Sequence, residues 1–432
     1  MKHSNLLTWL IIIALIGGVL FGELLLFNNG TPIFDDHWTK TTGDLILIRP
    51  LKLLIIPLIL FSVLSGICKI GDPTKLGLVG GSTVLYYLST MFIAVTLGAI
   101  LVTNIVPGNL NNDIQERLIS KGESSFQQSE LLKQNIENKD LGSAWLNIIE
   151  QIIPTNVFSD MVNSRPLGVI VFSILLGLAI AAGGEKTKIL RDFIDAGFNA
   201  IMRLVQWIIW LTPIGVFLLV SWTVGKIGLD GLVGPLSKYI FTVIGGLIIH
   251  GLIILPLFLF IFTNENPFKF MFQMKRALAT AFGTDSSSAT LPVTIECAEN
   301  NGNCSRRASN FVLPLGSVVN MDGTALYEAV AVIFLFQLYG IDLSTTELII
   351  VVITATLAAI GAAGIPSAGL VTMVIVIGAV NTSLAGQGVR ELPIAAIGVI
   401  LGIDRIVDMC RTVVNVWGDA VGAKIITKIA PD

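Results

Sequence analysis

Six stretches of this 432-residue chain are apolar over most or all of the length needed to cross a bilayer: Leu6–Phe27, Leu45–Ile67, Gly81–Val106, Gly168–Ala182, Ala200–Val224 and Ile240–Phe262. Crossing hydrocarbon takes ~20 apolar residues in helical form. The bilayer core offers no water to unpaired N–H and C=O groups, so these runs are expected to be helices. The strict alternation of a transmembrane barrel strand is absent from them. Composition agrees with this reading. Hydrophobic residues are 53% of the chain and charged residues 13%, about half the charged share of a soluble domain, which is near 25%. A surface that poor in charge does not keep a protein of this size in water. The net charge of −3 gives no basic face for nucleic acid. The expected fold class is therefore an all-α polytopic membrane protein.

The first apolar run exceeds the core of a signal peptide, and no small-residue cleavage site follows it. It is read as a retained helix. Lys and Arg collect in alternate connections: Lys69 and Lys75, then Lys186, Lys188 and Arg191, then Lys269, Lys275 and Arg276. The positive-inside rule places these in the cytoplasm, and the N-terminus with them. The one long polar stretch, Asn109–Leu141, reads as an exposed external loop with little to pack. Cys68, Cys297, Cys304 and Cys410 fit no zinc or redox spacing and read as packing residues. His3, His37 and His250 form no cluster, and His250 reads as a core residue.

Beyond about Phe268 the apolar segments are interrupted. One interruption is Ser286-Ser287-Ser288-Ala289-Thr290-Leu291-Pro292; the other is Gly361–Gly369. Each is followed by a helix that carries acids, first Asn320-Met321-Asp322-Gly323-Thr324 and then Asp404 to Asp419. Broken segments at matching positions in two halves point to a transporter binding site. Helix ends held at membrane depth offer N–H groups to anions and C=O groups to cations. The competing reading is a pair of kinked structural helices.

The last helix carries a polar stripe. At about 100° per residue with Asp408 as origin, Asp404 lies near −40°, Arg411 near −60°, Thr412 near +40°, Asn415 near −20° and Asp419 near +20°. Arg405 borders the stripe at about +60°. Counting Asp322 and Glu328 with the acids of this stripe gives five acids against two arginines. Each charge at the bilayer centre costs roughly 2.5–3.5 kcal/mol. The surplus of negative charge calls for protons or metal cations. Asn320, Asp322, Asn415 and Asp419 offer oxygens, as hard cations require; no sulfur or imidazole cluster suits a transition metal. Arg411 is a planar fork for a carboxylate, and Asp408 can accept from an ammonium group. The two could equally form an internal salt bridge.

Through Ser286–Ser288, Asn320–Thr324, Gly361–Gly369 and Asp408–Asp419, the chain resembles the dicarboxylate/amino acid:cation symporters, the glutamate transporter family. The resemblance runs over nearly the whole length. It implies a homotrimer in lipid, with eight transmembrane helices, two re-entrant hairpins, inverted repeats and an elevator mechanism. Residues 1–70 and 146–225 would be scaffold helices, with an external loop at 107–145. Helices at 78–106, 235–263, 306–338 and 390–430, with hairpins at 268–300 and 346–380, would form the moving part. The outer hairpin would act as gate.

By the same resemblance, Arg411 would hold a substrate side-chain carboxylate and Asp408 its amino group, with Thr324, Thr412 and Asn415 assisting. Backbone near Ser287, Ser288 and Gly364 would hold the α-carboxylate. Two or three Na⁺ ions are implied, with no organic cofactor. One would sit at Asp419 and Asn415 with carbonyls of Gly316 and Asn320. A second would use carbonyls of Val318, Ala359, Ile360 and Ala362. A third would use Tyr87, Thr90, Asn320 and Asp322. Met91 stands where the family usually has a serine of that third site. Asp285 and Met409 stand where prokaryotic and animal relatives, respectively, place an arginine; Arg405 facing Asp285 would restore the charge. Glu328 matches the glutamate that animal relatives link to proton co-transport and K⁺ counter-transport.

The implied activity is uptake of L-aspartate or L-glutamate. C4-dicarboxylate carriers of the family lack the residue matching Asp408, and neutral amino acid carriers the one matching Arg411. A substrate-gated anion channel is the alternative of a different class. No nucleophile–base pair or phosphate loop marks an enzyme.

Overall fold

The computed structural model describes residues 2–27, 33, 37–70, 73–128, 155–163, 166–227, 236–360, 368–385 and 387–430. No strand occurs among the described residues. The helices are α1 (Lys2–Phe21), α2 (Trp38–Gly43), α3 (Arg49–Ile70), α4 (Pro73–Ile105), α5 (Asn112–Gln128), α6 (Val157–Val162), α7 (Pro166–Ala182), α8 (Lys188–Ile209) and α9 (Thr212–Ile227). They continue with α10 (Ser237–Ile249), α11 (Leu255–Thr263), α12 (Pro267–Thr284), α13 (Ser287–Asn300), α14 (Arg306–Val319), α15 (Asp322–Leu338), α16 (Thr345–Ile360), α17 (Ala368–Ala385) and α18 (Gly398–Ile429).

Among the described residues, four helical segments are long and apolar enough to cross a membrane: Trp9–Leu26, Gly77–Ile105, Ser237–Thr263 and Arg306–Leu338. Shorter apolar helices include Gly168–Ala182, Thr212–Trp222, Thr345–Ile360 and Thr372–Ala385. Large apolar side chains stand exposed along α1, α4 and α10, among them Trp9, Ile13, Leu85 and Phe241. Such faces are stable against lipid or another subunit and costly against water.

Around the centre, α18 packs on α12, α13, α14 and α15, and α15 also packs on α4, α10, α16 and α17. Away from this core, α1 lies along α9, and α3 lies along α7 and α8. The central helices are wrapped by the others, so their polar groups must find partners within the protein.

Three breaks in helical continuity differ from a smooth reading of the apolar runs. The run Ala200–Val224 is divided between α8 and α9 at Trp210–Leu211. Pro213, in the first turn of α9, has no N–H to continue the ladder from α8. The run Ile240–Phe262 contains a π-helical stretch, His250–Ile254, between α10 and α11. There the Gly251 carbonyl accepts from the Trp417 indole N–H at 3.0 Å. The third break, Asn320–Met321, separates α14 from α15 inside an apolar stretch that is otherwise long enough to span.

The polar stretch after α4 also departs from its reading as a loop with little to pack. It contains α5, whose Leu118, Gly122 and Phe126 recur every four residues and so share one face. Phe126 is buried, and Gly122 lies against Val399 and Gly398 at the start of α18. Gln115 donates its side-chain N–H to the Leu338 carbonyl. The rest of that stretch, from 129 on, lies outside the described residues.

A candidate solute and cation site where the central helices are broken

The first interruption forms a tight helical hairpin. α12 ends at Thr284, Asp285 takes a left-handed conformation (φ 55°), and Ser286 opens α13. The Ser286 hydroxyl accepts from the Ala289 N–H at 3.1 Å, the ordinary way to satisfy a first-turn donor. The N-terminus of α13 is therefore brought inside the protein, with Ser287 and Ser288 buried beside it. Ser288 donates to the Ser317 carbonyl on α14 at 3.3 Å, and Thr412 Oγ1 lies 3.5 Å from Asp285 Oδ1.

The polar stripe of α18 is buried throughout: Asp404, Asp408, Arg411, Thr412, Asn415 and Asp419 are each at most 4% exposed. Arg411 donates from Nε to Asp408 Oδ1 at 2.6 Å and from Nη1 to Asp404 Oδ1 at 3.2 Å. Its guanidinium carbon lies 4.1 Å from the centroid of the Tyr327 ring. The Tyr327 hydroxyl donates to the same Asp404 oxygen at 2.8 Å. The internal Asp408–Arg411 pair left open by the sequence is thus present. Arg411 has its fork occupied on two sides and its flat face stacked, an arrangement that suits a guanidinium and would not suit lysine.

Asn415 reaches the start of α15. Its Oδ1 accepts from the Gly323 N–H at 2.7 Å, and its Nδ2 lies 3.2 Å from Thr324 Oγ1. The helix start and α18 meet closely here. A Cβ on Gly323 would come within 2.4 Å of the Arg411 carbonyl oxygen. Glu328, one turn further along, is fully buried and accepts from Thr372 on α17. Its other oxygen has no hydrogen-bond partner among the described residues.

A second cluster lies on the other side of the α14–α15 break. Asn320 donates from Nδ2 to Asp419 Oδ1 at 3.1 Å, and Thr90 Oγ1 lies 3.5 Å from Asn320 Oδ1. The Asp419 carboxylate lies over Gly316, where a Cβ would come within 2.4 Å of Oδ1 and 2.7 Å of the Tyr87 hydroxyl. Tyr87 donates to the Val312 carbonyl at 2.6 Å. Asp322 is fully buried, and neither of its oxygens has a hydrogen-bond partner among the described residues. His250 Nε2 lies 3.3 Å from Asp322 Oδ2. A buried carboxylate that forms no hydrogen bond, with one ring nitrogen beside it and no arginine or lysine within salt-bridge distance among the described residues, fits a cation as its partner.

The expected residues are therefore grouped as follows. Arg411, Asp408, Thr324 and Asn415 meet around the start of α15. Tyr87, Thr90, Gly316, Asn320, Asp322 and Asp419 meet behind it. The Asn415 side chain turns to the first group and not to the second. Val318, Ala359 and Ile360 lie near the ends of α14 and α16, which touch. Ala362 and Gly364 lie outside the described residues, as does the Arg405 side chain with its expected pairing to Asp285. Tyr327 and His250 are the residues that sequence reasoning did not place in the site. Tyr327 follows Asp322-Gly323-Thr324 by one turn, which was the available signal. His250 had none beyond being a polar residue in an apolar run.

A helical protein with exposed apolar surfaces on membrane-length helices, broken central helices and buried acids at the breaks has the features of a multi-pass membrane transport protein. The chain belongs to the sodium:dicarboxylate symporter family, whose profile matches residues 7–429. It is 38% identical to excitatory amino acid transporter 3 of Mus musculus, over 98% of this chain and 86% of that protein. It is 36% identical to an excitatory amino acid transporter of Caenorhabditis elegans, over 98% and 88%. It is also 34% identical to the neutral amino acid transporter B(0) of Homo sapiens, over 98% and 80%.

Proposed function

We propose that this protein is a secondary active symporter that takes up acidic amino acids, L-aspartate or L-glutamate, with two or three Na⁺ ions. The observation that carries this reading is the Arg411 constellation. A buried guanidinium sits between two buried carboxylates, next to a helix start whose N–H groups face Asn415. A molecule with a side-chain carboxylate and an ammonium group can enter by exchange of partners. Its carboxylate takes the guanidinium from Asp408, and its ammonium takes Asp408. The side-chain carboxylate and the ammonium cancel, so the exchange leaves the charge balance around Arg411 unchanged and shares the desolvation cost between the old pair and the new ones; the α-carboxylate brings one further negative charge, which the proposed cations offset. A dicarboxylate would leave Asp408 buried without a cation, and a neutral amino acid would leave Arg411 without its second carboxylate.

Cations act on the second cluster. Asp322 and Asp419 are buried acids with no arginine or lysine within salt-bridge distance among the described residues. Na⁺ would be held there by Asn320, Asp322, Asp419, Thr90 and nearby carbonyls, and at a further position by carbonyls of Val318, Ala359, Ile360 and Ala362. Glu328 would carry a proton, with K⁺ returning in exchange. The same reading takes α12–α13 and α16–α17 as re-entrant hairpins of an elevator-type carrier. It makes the protein a homotrimer in the plasma membrane, or the inner membrane of a bacterium, with a cytoplasmic N-terminus.

The test is uptake of radiolabelled aspartate into proteoliposomes with and without an inward Na⁺ gradient, with succinate and serine as competitors. Accumulation that needs Na⁺ and is competed by glutamate but not by succinate or serine supports the reading. Equilibration without accumulation, or flux in the absence of substrate, identifies a channel instead.

A further inference from the structure

The open end of the α16–α17 pair holds a buried carboxylate that the proposed transport chemistry does not use. Glu347, in the first turn of α16, is 1% exposed. Oε2 accepts from the Ser344 N–H at 3.0 Å and from the Ser344 hydroxyl. Oε1 accepts from Ser383 Oγ at 2.8 Å and from Gln387 Nε2 at 2.7 Å. Two donors from the residue that precedes α16 and two from the C-terminal end of α17 and just beyond it therefore converge on one side chain, and each carboxylate oxygen takes two of them. A second fastening lies beside it. Asn381 on α17 donates from Nδ2 to the Leu392 carbonyl at 2.8 Å and accepts from the Leu392 N–H at 2.9 Å. The C-terminal half of α17 is thus tied both to α16 and to the segment that leads into α18.

The N-terminal half of α17 is the part that touches the site. Thr372 donates to Glu328. Gly369 faces Thr324 and Arg411, with its Cβ direction ending 3.3 Å from Arg411 Nη1. Ser383 follows Thr372 by eleven residues, about 16 Å along the same rigid helix axis. A helix of this length transmits an axial shift at one end to the other.

We propose that Glu347 is a positioning residue that fixes the axial register of α17, and through it the placement of Gly369 and Thr372 against Arg411 and Glu328. It touches neither solute nor ion. Hydrogen bonds to a buried charge are stronger than neutral ones and directional. The two from Ser344 hold the Glu347 carboxylate in place on α16, and the two from Ser383 and Gln387 tie the end of α17 to it, whereas apolar contact between α16 and α17 would tolerate sliding.

The proposal rests on the reading that Arg411 and Glu328 face the solute, so the experiment has one arm that depends on that reading and one that does not. Spin labels on genetically encoded side chains at the exposed positions Thr346 and Thr382 report the α16–α17 distance at the open end. Aspartate affinity in saturating Na⁺ reports the site. In Glu347→Ala, a shifted or broadened distance distribution is expected, together with about tenfold weaker aspartate binding. Glu347→Gln keeps two acceptor lone pairs but turns an NH₂ toward donors, and should fall between Ala and the parent in both readouts. If Glu347→Ala does not assemble, Ser383→Ala and Gln387→Ala each remove one donor and leave the carboxylate, with about two- to fivefold weaker binding expected. An unchanged distance distribution overturns the proposal, whatever happens to affinity. A shifted distribution with parental affinity overturns the link to the site. If the parent protein binds no aspartate, the solute assignment has failed, and the distance arm still decides whether Glu347 sets the register.

Discussion

Replacing Tyr327 by phenylalanine isolates the contribution of one hydroxyl to solute binding. The ring stays 4.1 Å from the Arg411 guanidinium carbon, and only the 2.8 Å bond to Asp404 Oδ1 is lost. That oxygen also takes Arg411 Nη1 at 3.2 Å, so the loss is partly covered. Once a solute carboxylate draws Arg411 away, Asp404 leans on the Tyr327 hydroxyl more heavily. A hydrogen bond to a charged group contributes about 1.5–3 kcal/mol. The part felt only in the bound state is then about 1–2 kcal/mol, a roughly 5- to 30-fold rise in Kd. Isothermal titration of aspartate at saturating NaCl measures it directly, with serine titrated in parallel. Serine has no side-chain carboxylate to claim Arg411, so its weak binding should not fall further. Parental aspartate affinity in Tyr327→Phe, or an equal loss for both solutes, would refute the reasoning.

Neutralising the cation cluster should shift ion dependence before solute chemistry. In Asp419→Asn, the Na⁺ concentration for half-maximal aspartate binding should rise by about tenfold or more, since an anionic oxygen at 3.1 Å from Asn320 is lost; an unchanged Na⁺ titration would remove Asp419 from the site. Glu328→Gln should retain Na⁺-dependent aspartate exchange but lose the parent's pH and internal K⁺ dependence of net uptake, and a variant that keeps both shows that Glu328 carries no proton. Gly323→Ala forces a Cβ to within 2.4 Å of the Arg411 carbonyl, so the helix start must move away from α18. Overpacking of this kind costs typically about 1–3 kcal/mol, and a lower melting temperature with weakened aspartate binding is expected by calorimetry. Parental values would mean that the two helices have slack.

The sequence made some of this architecture readable, for definite physical reasons. Membrane-length apolar runs and the narrow stripe on α18 are periodic signals within one segment. The six stripe residues from Asp404 to Asp419 are buried, but so are Val407, Met409, Val416 and Trp417 off the stripe, so burial alone does not set the stripe apart. The polar residues Asn320 to Thr324 were legible in an apolar run, but they read as part of one continuous helix and not as the break that the structure has there. Contacts between distant segments carried no such mark. That Tyr327 would stack on Arg411, or that His250 would stand beside Asp322, depends on how α10, α15 and α18 cross, and no local pattern encodes a crossing. The packing of α5 was a different kind of omission. Its four-residue apolar repeat was present, but the surrounding Gln, Asn, Glu and Ser residues masked it in a composition-based reading.

The two clusters share a wall, and this gives the proposed coupling a physical route. Asn320 and Met321 are the only residues between α14 and α15. Asn320 is bonded to Asp419 on one side of the break, and Gly323 is bonded to Asn415 on the other. Asp419 and Asn415 are one turn apart on a single helix, so their spacing is fixed. A cation that draws Asn320, Asp322 and Asp419 together must therefore set where α15 begins relative to α18. The N–H groups of Gly323 and Thr324, both directed at Asn415, move with that start. With almost no free space between Gly323 and the Arg411 backbone, the displacement cannot be absorbed locally, because close-packed interiors transmit strain. On the proposed reading, an ion bound behind the break would thus change the free energy of the solute site in front of it. Linkage requires the solute to change ion affinity by the same factor. Neither site needs to touch the other's ligand for the two to be bound together.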